Sequence, residues 1–104
     1  MTTKHKIAIF ASGHGSNFEV IARAAEAGEI PAEVALLVCD RASARACQIA
    51  EQMNIPTFVF SAKEYASKEE YEQKIVELCR QAEVELICLA GYMRIVGKVL
   101  LSRY

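Results

Sequence analysis

The sequence carries almost no excess charge. Lys and Arg total 12 against 13 Asp and Glu, a formal net charge of −1, so there is no reason to expect a general nucleic-acid surface, and any basic recognition must be local. Cysteine is sparse and unpatterned: Cys39, Cys47, Cys79 and Cys88 form no CxxC pair. Three of them lie inside or at the end of apolar runs, which predicts buried free thiols rather than a metal site or a disulfide framework. That usage fits a reducing, cytoplasmic setting. No run approaches the roughly 18 apolar residues of a membrane helix, and the opening "MTTKHKIAIF" has too short an apolar segment to read as a signal peptide. Long internal repeats and low-complexity tracts are also missing. A chain of 104 residues allows one domain at most.

What is present is a repeated alternation of strand and helix. Lys6 to Ala11 is a short apolar, β-branched run, and residues 16–27 carry Phe18, Ile21, Ala22 and Ala25 at helical spacing before Gly28. Val34 to Cys39 reads as a second strand, and about 43–53 as a helix with Cys47, Ala50 and Met53 along one face. Pro56 marks a loop, and Thr57 to Phe60 is a short third strand. Ser67-Lys68-Glu69-Glu70 forms a capping box that opens a helix to about Ala82, with Tyr71, Ile75, Leu78, Cys79 and Ala82 as its apolar face. A fourth strand, Leu86 to Ala90, ends at Gly91-Tyr92-Met93-Arg94, and Ile95 to Tyr104 looks like the start of another helix.

Strands alternating with helices of this length predict an α/β fold of Rossmann-like type, a parallel sheet with helices on both faces. The near-continuous apolar strands "VALLVC" and "LICLA" agree, because such strands are buried on both sides. Ligands of these sheets sit beyond the C-terminal strand ends where the strand order reverses. With order 3-2-1-4 that point lies between strands 1 and 4, where "SGHGSN" and "GYMR" converge.

The first of these loops has a chemical reading. Gly13 and Gly15 permit tight or left-handed backbone, while Ser16 and Asn17 fall in the first turn of a helix, whose unpaired N–H groups and positive dipole end favour a phosphate. The competing reading is structural: Ser16 caps the helix, Glu19 completes the capping box, and the glycines only make a turn. A dinucleotide site is a further competitor. Gly13-x-Gly15-x-x-Phe18 has two of the three glycines, and Asp40 ends strand 2 where a ribose-binding acid could stand. Phe18, however, fills the position that close helix–strand packing reserves for Gly or Ala. A single phosphomonoester is therefore the better fit.

Taken together, "FASGHGSNFEVI", "LLVCDR" and "LAGYMRIVG" resemble the N-terminal half of the folate-dependent phosphoribosylglycinamide formyltransferases of purine synthesis. The resemblance implies the formyltransferase fold and two small-molecule substrates, glycinamide ribonucleotide and 10-formyltetrahydrofolate, with no metal, nucleic acid or membrane partner. It assigns Gly15, Ser16 and Asn17 to the ribonucleotide phosphate. Met93, Arg94, Ile95 and Val96 match the segment that lines the folate pocket. Lys68 stands where the family often has an arginine near the formyl-folate, keeping the cation without the planar fork. Its structural reading is a solvated residue in the first turn of a helix. His14 stands where an asparagine is usual, and no role is assigned to it.

The reaction implied is formyl transfer to a primary amine, which needs a donor for the oxyanion and an acceptor for the proton leaving nitrogen. The family supplies these from an Asn, a His in an "HPSLLP"-like motif and an Asp, all beyond the position equivalent to Tyr104, so no catalytic residue is assigned in this chain. The apolar strand Leu86 to Ala90 would be an unprotected edge, and "IVGKVLLSRY" stops without a C-cap signal. Residues 1–104 are therefore expected to be the substrate-binding part of an incomplete domain, inactive and prone to associate alone, with a C-terminal half as partner. The alternative is a non-catalytic phosphate- or nucleotide-binding module.

Overall fold

The computed structural model describes residues 4–13, 15–92, 94 and 96–101. Among them four strands, β1 (His5–Ala11), β2 (Ala32–Cys39), β3 (Thr57–Val59) and β4 (Leu86–Leu89), alternate with four helices, α1 (Ser16–Glu26), α2 (Arg45–Gln52), α3 (Lys68–Gln81) and α4 (Lys98–Leu101). The strands pair in parallel in the order β3-β2-β1-β4, the Rossmann-like sheet that the alternation predicts.

The period-2 alternation of β1 explains the three layers. Ile7, Ile9 and Ala11 face one side, where Phe18, Ala22 and Ala25 of α1 and Ala46, Ile49 and Ala50 of α2 cover them. Ala8 and Phe10 face the other, packed with Tyr71, Ile75, Val76 and Cys79 of α3 and Leu100 of α4. β1 is thus fixed between two helical layers. Three helices hand over to the next strand in the same way. Glu29, Ile55 and Val84 donate N–H bonds of 2.8–2.9 Å to Ala24, Ala50 and Cys79, five residues back. The residue before each, Gly28, Asn54 or Glu83, has positive φ, the Schellman closure.

Several local expectations are corrected. The buried stripe of α2 is Ala46, Ile49 and Ala50, with Cys47 and Met53 half-buried at its margin, because Ala46 is drawn under the loop after β1. β3 stops at Val59, and Ala62–Glu64 forms a 3₁₀ turn that the sequence pattern did not signal. The last helix opens at Lys98 rather than Ile95, since a side chain from α3 holds the backbone at Gly97. Among the described residues β4 is an edge strand, and Leu86 and Leu89 are each 58% exposed.

Candidate functional site

The loop from β1 to α1 is built around Gly15. Its φ of +82° is left-handed, and a Cβ there would lie 2.7 Å from the Ala46 Cα. Only glycine meets both demands. Gly13, by contrast, has open space around it, so that glycine is not required by its surroundings. Gly15 is also the N-cap of α1, and its carbonyl accepts the Glu19 N–H at 2.8 Å. Ser16 is therefore the first helical residue and not the cap. The capping box of the competing reading does not form: no side-chain cap bond is made, and the Glu19 carboxylate pairs with Arg23 at 2.9 Å. Ser16 and Asn17 stand exposed in the first turn, and Ser12 and Gly13 line a recess of about 310 Å³ with Arg41, Ser43, Ala44 and Arg45. His14 lies outside the described residues.

Beyond β4 the chain first packs against Phe10 of β1. Ala90 donates its N–H to Phe10 at 2.8 Å, and the Tyr92 ring meets Phe10 edge-on at 5.2 Å. Arg94 then turns toward the end of β2: its Nε–H donates to Asp40 Oδ2 at 2.8 Å, and its guanidinium carbon lies 5.9 Å from the Phe60 ring centroid. Val96 lines an apolar recess of about 140 Å³ with Phe10, Ile87, Leu89, Leu100 and Leu101. Met93 and Ile95, the other two assigned residues of this segment, lie outside the described residues.

Gly97 is fixed by α3. Its N–H donates to Glu72 Oε2 at 2.7 Å, and the Leu100 N–H donates to Oε1 at 3.4 Å. Glu72 is 1% exposed. Lys68 opens α3 half-buried, and a Cβ added to Gly97 would come within 3.0 Å of its Cδ. Its stem thus lies against Gly97 rather than standing fully solvated.

Sequence reasoning missed two residues here, Asp40 as a partner of Arg94 and Glu72 as an anchor. Glu72 left a signal: with Ile75, Val76 and Cys79 it completes a stripe at helical spacing, a carboxylate on a buried face. Asp40 left none, because its partner is 54 residues away. Its engagement also counts against a dinucleotide site, where it would have to face a ribose.

Among the described residues the two fully buried thiols are not activated as nucleophiles. Burial pushes the Cys39 thiol up to about 12. Burial alone raises Cys79 to about 11. Neither is a thiolate near neutrality. The Tyr92 hydroxyl is raised as well, chiefly by burial and secondarily by Tyr71. Among the described residues no group of three or more His, Cys, Asp or Glu side chains could hold a metal ion.

A parallel α/β domain with a left-handed glycine before α1 and an anchored arginine beyond β4 is the class that this fold and geometry define. Residues 5–104 match the formyl transferase family. The chain belongs to that family. It is 50% identical over 99 residues to the phosphoribosylglycinamide formyltransferase of Bacillus subtilis, covering 95% of this chain and 51% of the relative. The trifunctional purine biosynthetic protein adenosine-3 of Gallus gallus is 36% identical over 96 residues, which are 92% of this chain and 10% of that protein. Among solved structures, the glycinamide ribonucleotide transformylase 1 of Geobacillus kaustophilus superposes with a TM-score of 0.95 at 48% identity, over 97% of this chain and 54% of that one. The chain thus spans about half the length of its bacterial relatives.

Proposed function

We propose that this chain is the substrate-binding part of a phosphoribosylglycinamide formyltransferase, which moves the formyl group of 10-formyltetrahydrofolate to the primary amine of glycinamide ribonucleotide in cytoplasmic purine synthesis. Gly15, Ser16 and Asn17 receive the ribonucleotide phosphate, and Lys68, Met93, Arg94, Ile95 and Val96 flank the formyl-folate. The observation that carries this reading is Gly15, a residue with neither the φ nor the space for a side chain. It opens α1 with Ser16 and Asn17 exposed and uncommitted to a cap. N–H groups at a helix start are unpaired donors aligned with the positive end of the dipole, the preferred surroundings of a phosphate.

The chemistry divides accordingly. Binding both substrates at adjoining strand ends brings amine and formyl carbon together, which removes the entropy cost of the encounter. Attack forms the C–N bond and an oxyanion, the nitrogen loses a proton, and collapse expels tetrahydrofolate. The groups that handle the oxyanion and the proton come from polypeptide corresponding to the other half of the bacterial relatives, since no residue here is assigned to either task. The reading is tested by joining this chain in frame to the remaining half of the Bacillus subtilis relative and assaying formyl transfer. Transfer by the hybrid, lost on Gly15→Val, is the expected result. A folded hybrid that binds neither substrate would overturn it.

A further inference from the structure

We propose that Asp40 is a positioning residue of the folate side, acting through Arg94 and touching neither substrate. The inference rests on the reading of Arg94 as part of the folate wall. Asp40 leaves the end of β2 with its side chain only 7% exposed and accepts the Arg94 Nε–H at 2.8 Å. Its other oxygen, Oδ1, is buried and has no hydrogen-bond partner among the described residues. Stability alone does not account for this arrangement. A buried carboxylate with one oxygen unpaired costs more than a well-packed apolar residue of similar size, so an ion pair of this kind is poor evidence of a stabilising role.

What the pair does accomplish is geometric. Arg94 has several rotatable bonds and is 37% exposed in its side chain, so a free guanidinium would sample many rotamers. One bond at Nε from Asp40, together with the Phe60 ring 5.9 Å from its central carbon, fixes the direction of the fork. The same contact joins Arg94, which lies beyond β4, to the end of β2 across the intervening β1. The loop that Asp40 begins leads to Ala46, the residue that packs under Gly15.

The test is a double-mutant cycle on ligand affinity. In the hybrid with the remaining half of the Bacillus subtilis relative, Asp40→Asn, Arg94→Gln and the double variant are titrated calorimetrically with 5-formyltetrahydrofolate and, separately, with glycinamide ribonucleotide. Loss of a charge-assisted bond of this kind predicts that Asp40→Asn weakens folate binding about tenfold, with ribonucleotide affinity within about twofold of the unsubstituted chain. The double variant should be no weaker than Arg94→Gln alone, because Asp40 acts through that side chain. Additive losses, equal losses for both ligands, or an Asp40→Asn variant that fails to fold while Arg94→Gln folds would make Asp40 a general structural residue and overturn the inference. Unsubstituted protein that binds no folate would overturn the folate reading itself. Folate binding that Asp40→Asn leaves unchanged would overturn only the role given to Asp40.

Discussion

Glu72 and Gly97 meet through a 2.7 Å hydrogen bond that ties the middle layer of α3 to the backbone just before α4. The carboxylate is almost wholly buried and also takes the Leu100 N–H, so it satisfies two donors at a helix start that would otherwise be orphaned. Glu72→Ala should therefore destabilise the fold by about 2–4 kcal/mol, the cost of leaving buried donors unmade plus a cavity. Urea unfolding measures this directly. A change below about 0.5 kcal/mol, the range of an ordinary surface substitution, would show that Glu72 is not the anchor.

The two glycines of the first loop should behave differently. Gly15→Ala places a Cβ against Ala46 at a backbone angle that L-residues avoid, and a loss of about 1–3 kcal/mol is expected from the crowding and strain. Gly13→Ala should fall within about 0.5 kcal/mol of the unsubstituted protein, since its Cβ would meet nothing within 4 Å. Thermal unfolding of the two variants side by side decides the point. Equal effects would contradict the geometry assigned to the loop.

The architecture was legible because its signals are local, whereas the site's anchors are not. The apolar runs of β1, β2 and β4 are read directly from their neighbours in sequence, and the Ser67 cap is seen within four residues, its Oγ accepting the Glu70 N–H at 3.2 Å. Ser16 shows the limit of such reading. The pattern Ser16-x-x-Glu19 is a capping box on paper, yet Gly15 takes the cap and Glu19 turns to Arg23. Asp40–Arg94 and Glu72–Gly97 span 54 and 25 residues, and only the folded sheet brings their elements together. The start of α4 was misplaced for the same reason, because a carboxylate from α3 sets it.

The thiols give an independent check on burial. Cys39 and Cys79 have raised pKa values, about 12 and about 11, both chiefly from burial, while Cys47 and Cys88 are only half-buried. Iodoacetamide at pH 8 should label Cys47 and Cys88 in the native protein and reach Cys39 and Cys79 only on unfolding, as peptide mass mapping would show. The sign of the pH effect follows. An unfolded thiol ionises near its ordinary value of 9.0, before the folded one does, so the contribution to stability is complete below about pH 9. It is lost as pH rises toward 11 for Cys79 and 12 for Cys39. Denaturant midpoints that hold level between pH 9 and 11 would contradict the burial of these groups.

The phosphate at the start of α1 is the central claim, and amide NMR of the labelled protein tests it most directly. On titration with glycinamide ribonucleotide, the backbone N–H signals of Gly15, Ser16 and Asn17 should move downfield together as these groups become donors to the phosphate, and the corresponding riboside without phosphate should leave them in place. Equal shifts with both compounds, or shifts confined to other parts of the sheet end, would contradict the assignment of this loop to the phosphate.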